Sequence, residues 1–299
     1  MDKVIKLLES HGPLTGKDLI RETGINVFKA WRICSNTKQV LTRIVGRRYL
    51  RLDMKVDGYA RLSPSIMREF MNYTIIGLEA DKEAIESQAE ELRKEIIAIS
   101  KKKINLARET IDRLVQGHPD RDAIIDHSTF IIAGDVVFGM AHAELRPESS
   151  TGEMVRGSDL DIIVVTDGLS WHLTKSLDEL IYREKYNLLI NPVSKEEIDY
   201  IIKDLETVQD QLQFRDFKAM VASKILYEGE YFYGSLDLYH RIKKMLKDCG
   251  LDKKIASLEE KARHSRSAAE ESLVSAPDSI DFNELMTLFY TTEEKEEIF

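Results

Sequence analysis

Two aspartates open the most constraining stretch of this chain, because they alternate at the start of a strongly apolar run. Asp159 and Asp161 are separated by one leucine, and residues 162–165 are Ile-Ile-Val-Val. An unbroken run of β-branched residues favours a buried strand. Side chains two apart on a strand point to the same face, ~7 Å apart. The sequence therefore predicts two rigidly held carboxylates on one face of a sheet, or two solvated acids at a strand start.

A carboxylate pair of this kind suits divalent-cation chemistry. Mg²⁺ prefers oxygen ligands, and two carboxylates on one strand face can hold such ions against a triphosphate. Gly157 and Ser158 precede the pair, and a glycine turn lets a phosphate group approach the backbone. The pattern predicts phosphoryl or nucleotidyl transfer with Mg²⁺ or Mn²⁺ as cofactor. Asp159 and Asp161 are the predicted catalytic and metal-binding residues.

A second buried strand is predicted upstream of this pair. Residues 128–133 are mostly apolar and end at Gly134-Asp135. A short helix over 136–143 and a polar loop over 144–156 are expected to follow.

This order of elements resembles the nucleotidyltransferase superfamily that includes DNA polymerase beta and the small prokaryotic nucleotidyltransferase domains. The family pattern is a strand, Gly-Ser, a short helix, and then Ser-Asp-x-Asp on a second strand. Residues 225–233 are similar to the Ile-Leu-x-Glu-Gly-x-x-x-Tyr segment that often closes the small domains, and the resemblance covers residues 121–234. It implies a nucleoside triphosphate substrate and Mg²⁺ on the two aspartates. The residues implied to bind the nucleotide are Gly134, Asp135, Gly157 and Ser158.

Two positions depart from that family pattern. Asp135 stands where the family usually has serine. The next strand, predicted at 185–190, has Asn187 where the family has its third carboxylate. A neutral residue there removes a metal ligand and a possible base. The alternatives are an active enzyme that transfers NMP from an NTP to an unknown acceptor, and an inactive nucleotide-sensing domain.

The first 60 residues are basic, unlike the rest of the chain. They carry 12 Lys and Arg against six Asp and Glu, a net charge of +6. Because the net charge of the whole chain is −9, the remaining residues carry −15. Helical patterns over 2–10, 16–23 and 27–35 precede two β-prone runs about Gly46, which predict a basic hairpin over 40–52. A basic module on an acidic body is typical of polyanion binding.

Three short helices followed by a basic hairpin resemble the winged helix-turn-helix of prokaryotic transcription regulators. The resemblance covers about the first 60 residues and implies duplex DNA as a partner, because Lys and Arg neutralise phosphates and release counterions. A winged helix that contacts protein is the alternative. The residues implied to contact DNA, on or after the third helix and in the hairpin, are Lys29, Arg32, Lys38, Arg43, Arg47 and Arg48.

A long helical connector is predicted next. Ser63-Pro64 opens a helix to about Ile76, and residues 81–116 form an uninterrupted helical pattern. The apolar seam of this pattern favours either a homodimer or an amphipathic helix packed on its own chain. Its heptad-spaced apolar residues are Ile85, Ala89, Leu92, Ile96 and Ile99.

The remaining sequence completes an α+β chain in four parts. Helices are expected over 236–249 and 281–290, with a polar linker over 265–279 and an acidic tail over 293–297. The predicted parts are a winged helix (1–62), a helical connector (63–116), a nucleotidyltransferase-like domain with a small mixed sheet (117–234) and a C-terminal helical extension (235–299).

The composition indicates a cytoplasmic protein with no membrane partner. No apolar run approaches the ~18 residues of a membrane span, and no signal peptide is evident. Cys34 and Cys249 are the only cysteines, which excludes a disulfide framework. The leading interpretation is a Mg²⁺-dependent nucleotidyltransferase with a DNA-binding winged helix. The alternative is a DNA-binding transcriptional regulator whose nucleotidyltransferase domain is inactive.

Overall fold

The computed structural model describes residues 2–148, 151–276 and 288–289 and contains both helices and sheets, in agreement with the α+β prediction. It divides into two compact units, residues 1–95 with residues from 259 onward, and residues 96–258. The first unit is therefore assembled from two separate stretches of sequence, whereas the second is continuous. The units end at none of the predicted boundaries at 62, 116 and 234.

The first unit begins with three short helices close to the predicted ranges. They are α1 (Asp2–His11), α2 (Gly16–Thr23) and α3 (Val27–Asn36), with a short strand β1 (Leu14–Thr15) before α2. The Thr15 side chain accepts a hydrogen bond from the Asp18 amide at 3.1 Å, and Gly24 ends α2 in the left-handed conformation. The predicted cap and terminator of this helix are thus confirmed.

The predicted hairpin over 40–52 is wrong, because its two strands pair elsewhere. The strands of this region are β2 (Val40–Ile44), β3 (Tyr49–Leu52), β4 (Ala60–Ser63) and, after helix α4 (Ile66–Asn72), β5 (Thr74–Leu78). β5 lies between β1 and β2 in a three-stranded sheet, while β3 pairs with β4 in a separate two-stranded sheet. Ile75 and Ile76 are buried on β5. The burial of this distant strand, rather than the nearby glycine turn, decides the pairing of β2.

The predicted helix from Ser63 to Ile76 is also wrong over much of its length. Ser65, not Ser63, caps α4 by accepting a hydrogen bond from the Arg68 amide at 3.1 Å. The helix ends at Asn72, and the β-branched residues after it form β5. β-Branched side chains pack well on a buried sheet, which explains the change to strand.

A 35-residue helix, α5 (Lys82–Gln116), matches the predicted connector helix. Within one chain it buries Ile85, Ala89 and Ile96 of the apolar seam, while Leu92 and Ile99 are partly buried. A homodimer through this seam stays a prediction. The burial of three seam residues inside a single chain favours the alternative, an amphipathic helix that packs on its own chain.

The second unit continues from the last half of α5. Its elements are α6 (Arg121–His127), β6 (Ser128–Ala133), β7 (Leu145–Pro147), β8 (Met154–Arg156), β9 (Leu160–Thr166), α7 (Trp171–Ile190), β10 (Ile198–Asp204), α8 (Leu205–Gln211), α9 (Phe217–Glu228), β11 (Glu230–Gly234) and α10 (Leu236–Asp248).

A four-stranded mixed sheet forms the centre of this unit, in the order β10-β9-β6-β11. β9 and β10 are parallel and are connected through α7, whereas the other neighbours are antiparallel. The predicted strands over 128–133 and after Asp159 are confirmed as β6 and β9. Phe130, Ile162 and Val164 point into a core that also contains Ile111 and Val115 of α5. The alternate residues of the sheet point to its opposite face.

Three further predictions in the second unit are wrong. Residues 185–190 are not a strand but the last turns of α7, which Ser170 caps. The predicted helix over 136–143 is a single 3-10 turn, Gly134–Val136, followed by turns. The predicted loop over 144–156 contains the antiparallel pair β7–β8. Short apolar segments are ambiguous between helix and strand, which explains the first error.

The C-terminal predictions have a mixed outcome. The helix predicted over 236–249 is confirmed as α10. The linker predicted over 265–279 is wrong up to residue 275, because α11 (Leu251–Ser275) is helical there. The final helix over 281–290 lies outside the described residues except for 288–289, and so does the acidic tail. None of the described helices has the length and apolar character that a bilayer span requires.

Candidate active site

The two predicted aspartates lie where β9 begins, in the middle of the sheet of the second unit. Asp159 precedes the strand, and Asp161 is its second residue. The backbone partner of Asp161 is Ala133 on β6 and Asp199 on β10. Neighbouring strands lie about 4.8 Å apart, and residues in register share a face. Asp161 and Asp199 therefore stand side by side at one edge of the sheet.

Asp199, rather than Asn187, is the residue that lies beside Asp161 on the neighbouring strand. The sequence predicts the third-carboxylate position at Asn187, but Asn187 lies on α7, where its side-chain amide donates to Glu184 Oε2 at 3.2 Å. The strand that follows β9 in the chain is β10, and its second residue is an aspartate. A sequence signal exists, since the run 198–202, Ile-Asp-Tyr-Ile-Ile, is as β-prone as the run after Asp161.

A compact group of carboxylates surrounds Asp159. Carboxylate oxygens of Asp159, Glu197 and Asp199 all lie within 4.8 Å of one another. Glu197 is buried, and its burial raises the pKa of its carboxyl above the ordinary value. The set consists of oxygen ligands only, which is the donor chemistry that Mg²⁺ and Mn²⁺ prefer.

Arg146 of β7 supplies the counter-charge in this group. The residue is only 9% exposed. Its Nη2 lies 2.9 Å from Glu197 Oε2 and also forms an ion pair with Asp159. Its Nε donates to the Gly157 carbonyl at 2.9 Å. Arg146 therefore holds the turn that carries Asp159 in place and neutralises two of the three acids.

Glycine is required at position 134 because the backbone there lies very close to the Asp161 carboxylate. The φ of Gly134 is +75°, a left-handed value that favours glycine. A Cβ atom on residue 134 would occupy the space of Asp161 Oδ2. The predicted glycine turn thus lies against the predicted metal ligand, and no other residue fits there without moving that carboxylate.

The other predicted nucleotide-binding residues lie around the same turn. The Ser158 hydroxyl donates to Asp135 Oδ2 at 3.1 Å. Gly157 has a φ of +64°, and a side chain on it would collide with the His142 carbonyl. The structure therefore brings Gly134, Asp135, Gly157 and Ser158 together with both aspartates, although 23 residues separate Asp135 from Ser158.

Glu228 is a site residue that sequence reasoning missed. It ends α9, and its side chain is 8% exposed and forms an ion pair with Lys224. Burial raises the pKa of the Glu228 carboxyl to about 7, Lys224 opposes this shift, and the charges of Asp161 and Asp135 add to it. The sequence signal is the segment 225–233, because the Glu-Gly pair of its family pattern includes this acid.

A groove of about 390 Å³ opens beside the carboxylates. Asp161 and Asp199 line one part of it, and Tyr182, Lys185 and Ile201 line another. The Lys185 ammonium lies 2.7 Å from Asp199 Oδ1. Asp161 and Asp199 are therefore accessible to a ligand of small-molecule size, and the aromatic side chain of Tyr182 lies in the same groove.

The predicted DNA-binding residues of the first unit fall into two groups. Lys29, Lys38, Arg43 and Arg47 have exposed side chains, and Arg43 forms a surface ion pair with Glu86 at 3.2 Å.

Arg48 and Arg32 instead have interior partners. The Arg48 Nε and Nη2 donate to the two oxygens of Glu69 at 2.6 and 2.7 Å, and Nη2 also contacts Glu270 at 2.8 Å. Arg32 donates to the Ala276 carbonyl at 2.6 Å. These two arginines are held by their own chain, which their position in a basic segment does not predict.

Protein-family models and curated proteins gave no match to this chain.

Proposed function

We propose that this protein is a Mg²⁺-dependent nucleotidyltransferase, which transfers NMP from a nucleoside triphosphate to an acceptor hydroxyl. One observation carries the proposal. Asp161 and Asp199 are in register on neighbouring parallel strands, Asp159 is close to Asp199, and the glycine turn at Gly134 lies against Asp161. Three carboxylates beside a glycine turn suit metal-assisted phosphoryl chemistry.

The metal ligands in this proposal are Asp159, Asp161 and Asp199. Their carboxylate oxygens form the donor set that Mg²⁺ or Mn²⁺ takes in proteins. When bound, the cation would neutralise the charge of the triphosphate. The turn after Gly134 would bind the phosphates through the backbone, and Ser158 would keep the neighbouring Asp135 carboxylate hydrogen-bonded at 3.1 Å.

The resemblance to the superfamily of DNA polymerase beta supports the same proposal. The main departure from the family pattern was the neutral Asn187, and Asp199 supplies an acid on the strand adjacent to Asp161. The remaining departure is Asp135, whose charge would lie near the nucleotide phosphates. The acidic set therefore favours the active enzyme over the nucleotide-sensing domain.

One observation favours the alternative, an inactive domain that only senses nucleotide. Arg146 already forms ion pairs with Asp159 and Glu197. A guanidinium on a metal ligand competes with the cation for the same oxygens. In that case the protein would be a DNA-binding transcriptional regulator, and nucleotide binding would change its affinity for DNA.

In both cases we propose that the first unit binds duplex DNA. Support comes from its basic balance and from the exposed side chains of Lys29, Lys38, Arg43 and Arg47. The β3–β4 pair replaces the expected hairpin as the candidate wing. Arg32 and Arg48 are left out of the proposed contacts because other groups of the chain already bind them.

A single series of measurements tests the enzymatic proposal. Calorimetry with Mg²⁺ and each NTP should detect binding to the wild type, and labelled nucleotide should be transferred to an acceptor. Asp161→Asn should abolish both. The matched control is Asp167→Asn, because Asp167 follows the far end of β9 and pairs with Arg241. Binding without turnover would support the sensor, and no binding at all would contradict both functions.

A further inference from the structure

Helix α7 exposes tyrosines beside the carboxylates. Tyr182 is 68% exposed and Tyr186 is 56% exposed. Tyr182 lines the groove that contains Asp161 and Asp199, whereas Tyr186, one turn further on, is not among the lining residues. The exposure of Tyr182 leaves its phenol accessible to a ligand in this groove.

Tyr182 lies on the same side of α7 as Lys185, which contacts one of the acids. Residues three apart lie on the same side of a helix. The Lys185 ammonium is 2.7 Å from Asp199 Oδ1, and one helical turn rises only about 5.4 Å. Tyr182 therefore stands about one turn from the residue of α7 that contacts the third carboxylate.

The second tyrosine of the groove, Tyr200, is already engaged. Its hydroxyl donates to Asp178 Oδ1 at 2.8 Å, and burial followed by this hydrogen bond raises its pKa. Among the described residues, no hydrogen bond involves the hydroxyl of Tyr182. Tyr182 is therefore the phenol in this groove that can react.

We propose that Tyr182 is an acceptor of the transferred nucleotide, so that the protein nucleotidylates itself; this inference rests on the proposed nucleotidyltransferase function. The phenolic oxygen forms a bond to the α-phosphorus of the NTP. The bond from that phosphorus to the oxygen bridging to the β-phosphate breaks, and pyrophosphate leaves. The phenolic proton passes to solvent water, because Tyr182 is largely exposed. No oxidant or reductant is required.

Modification of Tyr182 should stop after one nucleotide has been attached. The product carries a nucleoside and a negatively charged phosphodiester in the groove that Asp161 and Asp199 line. The attached group would occupy the space of the next nucleotide, and its charge would oppose the approach of another triphosphate. We expect one nucleotide per chain and a loss of further nucleotide binding after modification.

The test is intact-mass spectrometry of the full-length protein incubated with Mg²⁺ and each NTP, followed by peptide mapping. The wild type should gain the mass of one NMP on the peptide that contains Tyr182. Tyr186→Phe should gain the same mass, whereas Tyr182→Phe and Asp161→Asn should gain none. Asp161→Asn protein mixed with wild type should stay unmodified, because the acceptor lies in its own groove.

The two proposals fail in distinguishable ways. If the wild type binds NTP with Mg²⁺ or releases pyrophosphate but Tyr182 stays unmodified, the self-modification is overturned and the nucleotidyltransferase proposal stands. If modification occurs on Tyr186 or elsewhere and persists in Tyr182→Phe, the assignment to Tyr182 is overturned. If the wild type neither binds nor turns over any NTP, both proposals are overturned.

Discussion

Oδ2 of Asp161 occupies the space that a side chain on Gly134 would need. The two residues are on neighbouring strands or their ends, and the contact joins the predicted phosphate-binding turn to a predicted metal ligand. The positive φ of Gly134 would also strain the backbone of any other residue. Both the lack of space and the backbone conformation therefore require glycine at this position.

Gly134→Ala should displace the Asp161 carboxylate and weaken Mg²⁺-dependent nucleotide binding about tenfold or more. The control is Gly250→Ala, since Gly250 has a similar positive φ of 66° but open space around its Cβ position. Both variants should lose about 1–2 kcal/mol of unfolding free energy from backbone strain. Calorimetry and urea unfolding separate the two effects, and equal nucleotide affinity in both variants would contradict the argument.

Asp199→Asn should lower nucleotide transfer roughly a hundredfold, because removing a metal ligand costs several kcal/mol of charge stabilisation. Asn187→Asp should change it little, since residue 187 lies on α7 and not on the adjacent strand. The measurement is the nucleotide-transfer rate of the two variants at saturating Mg²⁺. A strong effect at 187 with none at 199 would place the third carboxylate on α7 instead.

Arg146→Met should destabilise the second unit by about 3–5 kcal/mol, because it leaves Asp159 and the buried Glu197 without their counter-charge. Added Mg²⁺ or Mn²⁺ should then raise the thermal midpoint more in this variant than in the wild type, since the cation replaces the guanidinium. Thermal unfolding with and without the cations measures this. An equal response of both proteins would argue against a cation site at Asp159.

Lys203 should make stability rise with pH in the alkaline range. Burial lowers the pKa of its ammonium to about 8 from 10.5, and its Nζ donates to Gln211 at 2.8 Å. Between these values the unfolded chain binds more protons than the folded one, so the free energy of unfolding increases with pH.

Lys203→Met should remove this pH dependence and stabilise the fold near pH 7 by at most about 3 kcal/mol. Urea unfolding at neutral and alkaline pH provides the measurement. Lys175→Met is the control, because Lys175 is largely exposed. An unchanged pH slope in Lys203→Met would show that the buried ammonium is not its source.

The DNA proposal predicts different effects for the exposed lysines of the first unit and for Arg48, which is bound by its own chain. Changing Lys29 and Lys38 to Ala should weaken binding to all duplex sequences and lower the salt slope by about 1 for each phosphate that is no longer neutralised. Arg48→Ala should instead lower stability by about 1–3 kcal/mol, since the buried Glu69 loses this partner but keeps Arg266. Titrations at several salt concentrations, together with urea unfolding, test both statements.

Local patterns predicted the parts of the site that depend on neighbouring residues. Asp159, Asp161 and Gly134 follow from alternation and from a glycine after a buried strand. Gly134 lies against Asp161, and Asp159 lies with Glu197 and Asp199. Asp199 was missed because the apolar end of α7 has the composition of a strand. Glu228 was missed because the segment 225–233 marks it only as part of a family pattern, and its proximity to Asp161 depends on how α9 packs.

The same limit applies to the first unit. Its helices and their caps follow from Thr15, Gly24 and similar local signals. The pairing of β2 with β5 does not, because it joins residues that are distant in the sequence, such as Val40 and Leu78, and is decided by burial of Ile75 and Ile76. The interior partners of Arg48 include Glu270, which lies 222 residues away in the sequence.

The division of the first unit between two distant stretches of sequence has a consequence for synthesis on the ribosome. Residues 96–258 form a continuous unit that can fold once they have emerged. The other unit buries Phe28 against Phe289, with ring centroids 5.2 Å apart, and pairs Arg48 with Glu270. Its core cannot close until Phe289 has been translated. We therefore expect the candidate DNA-binding unit to mature last, after the candidate enzyme has already formed.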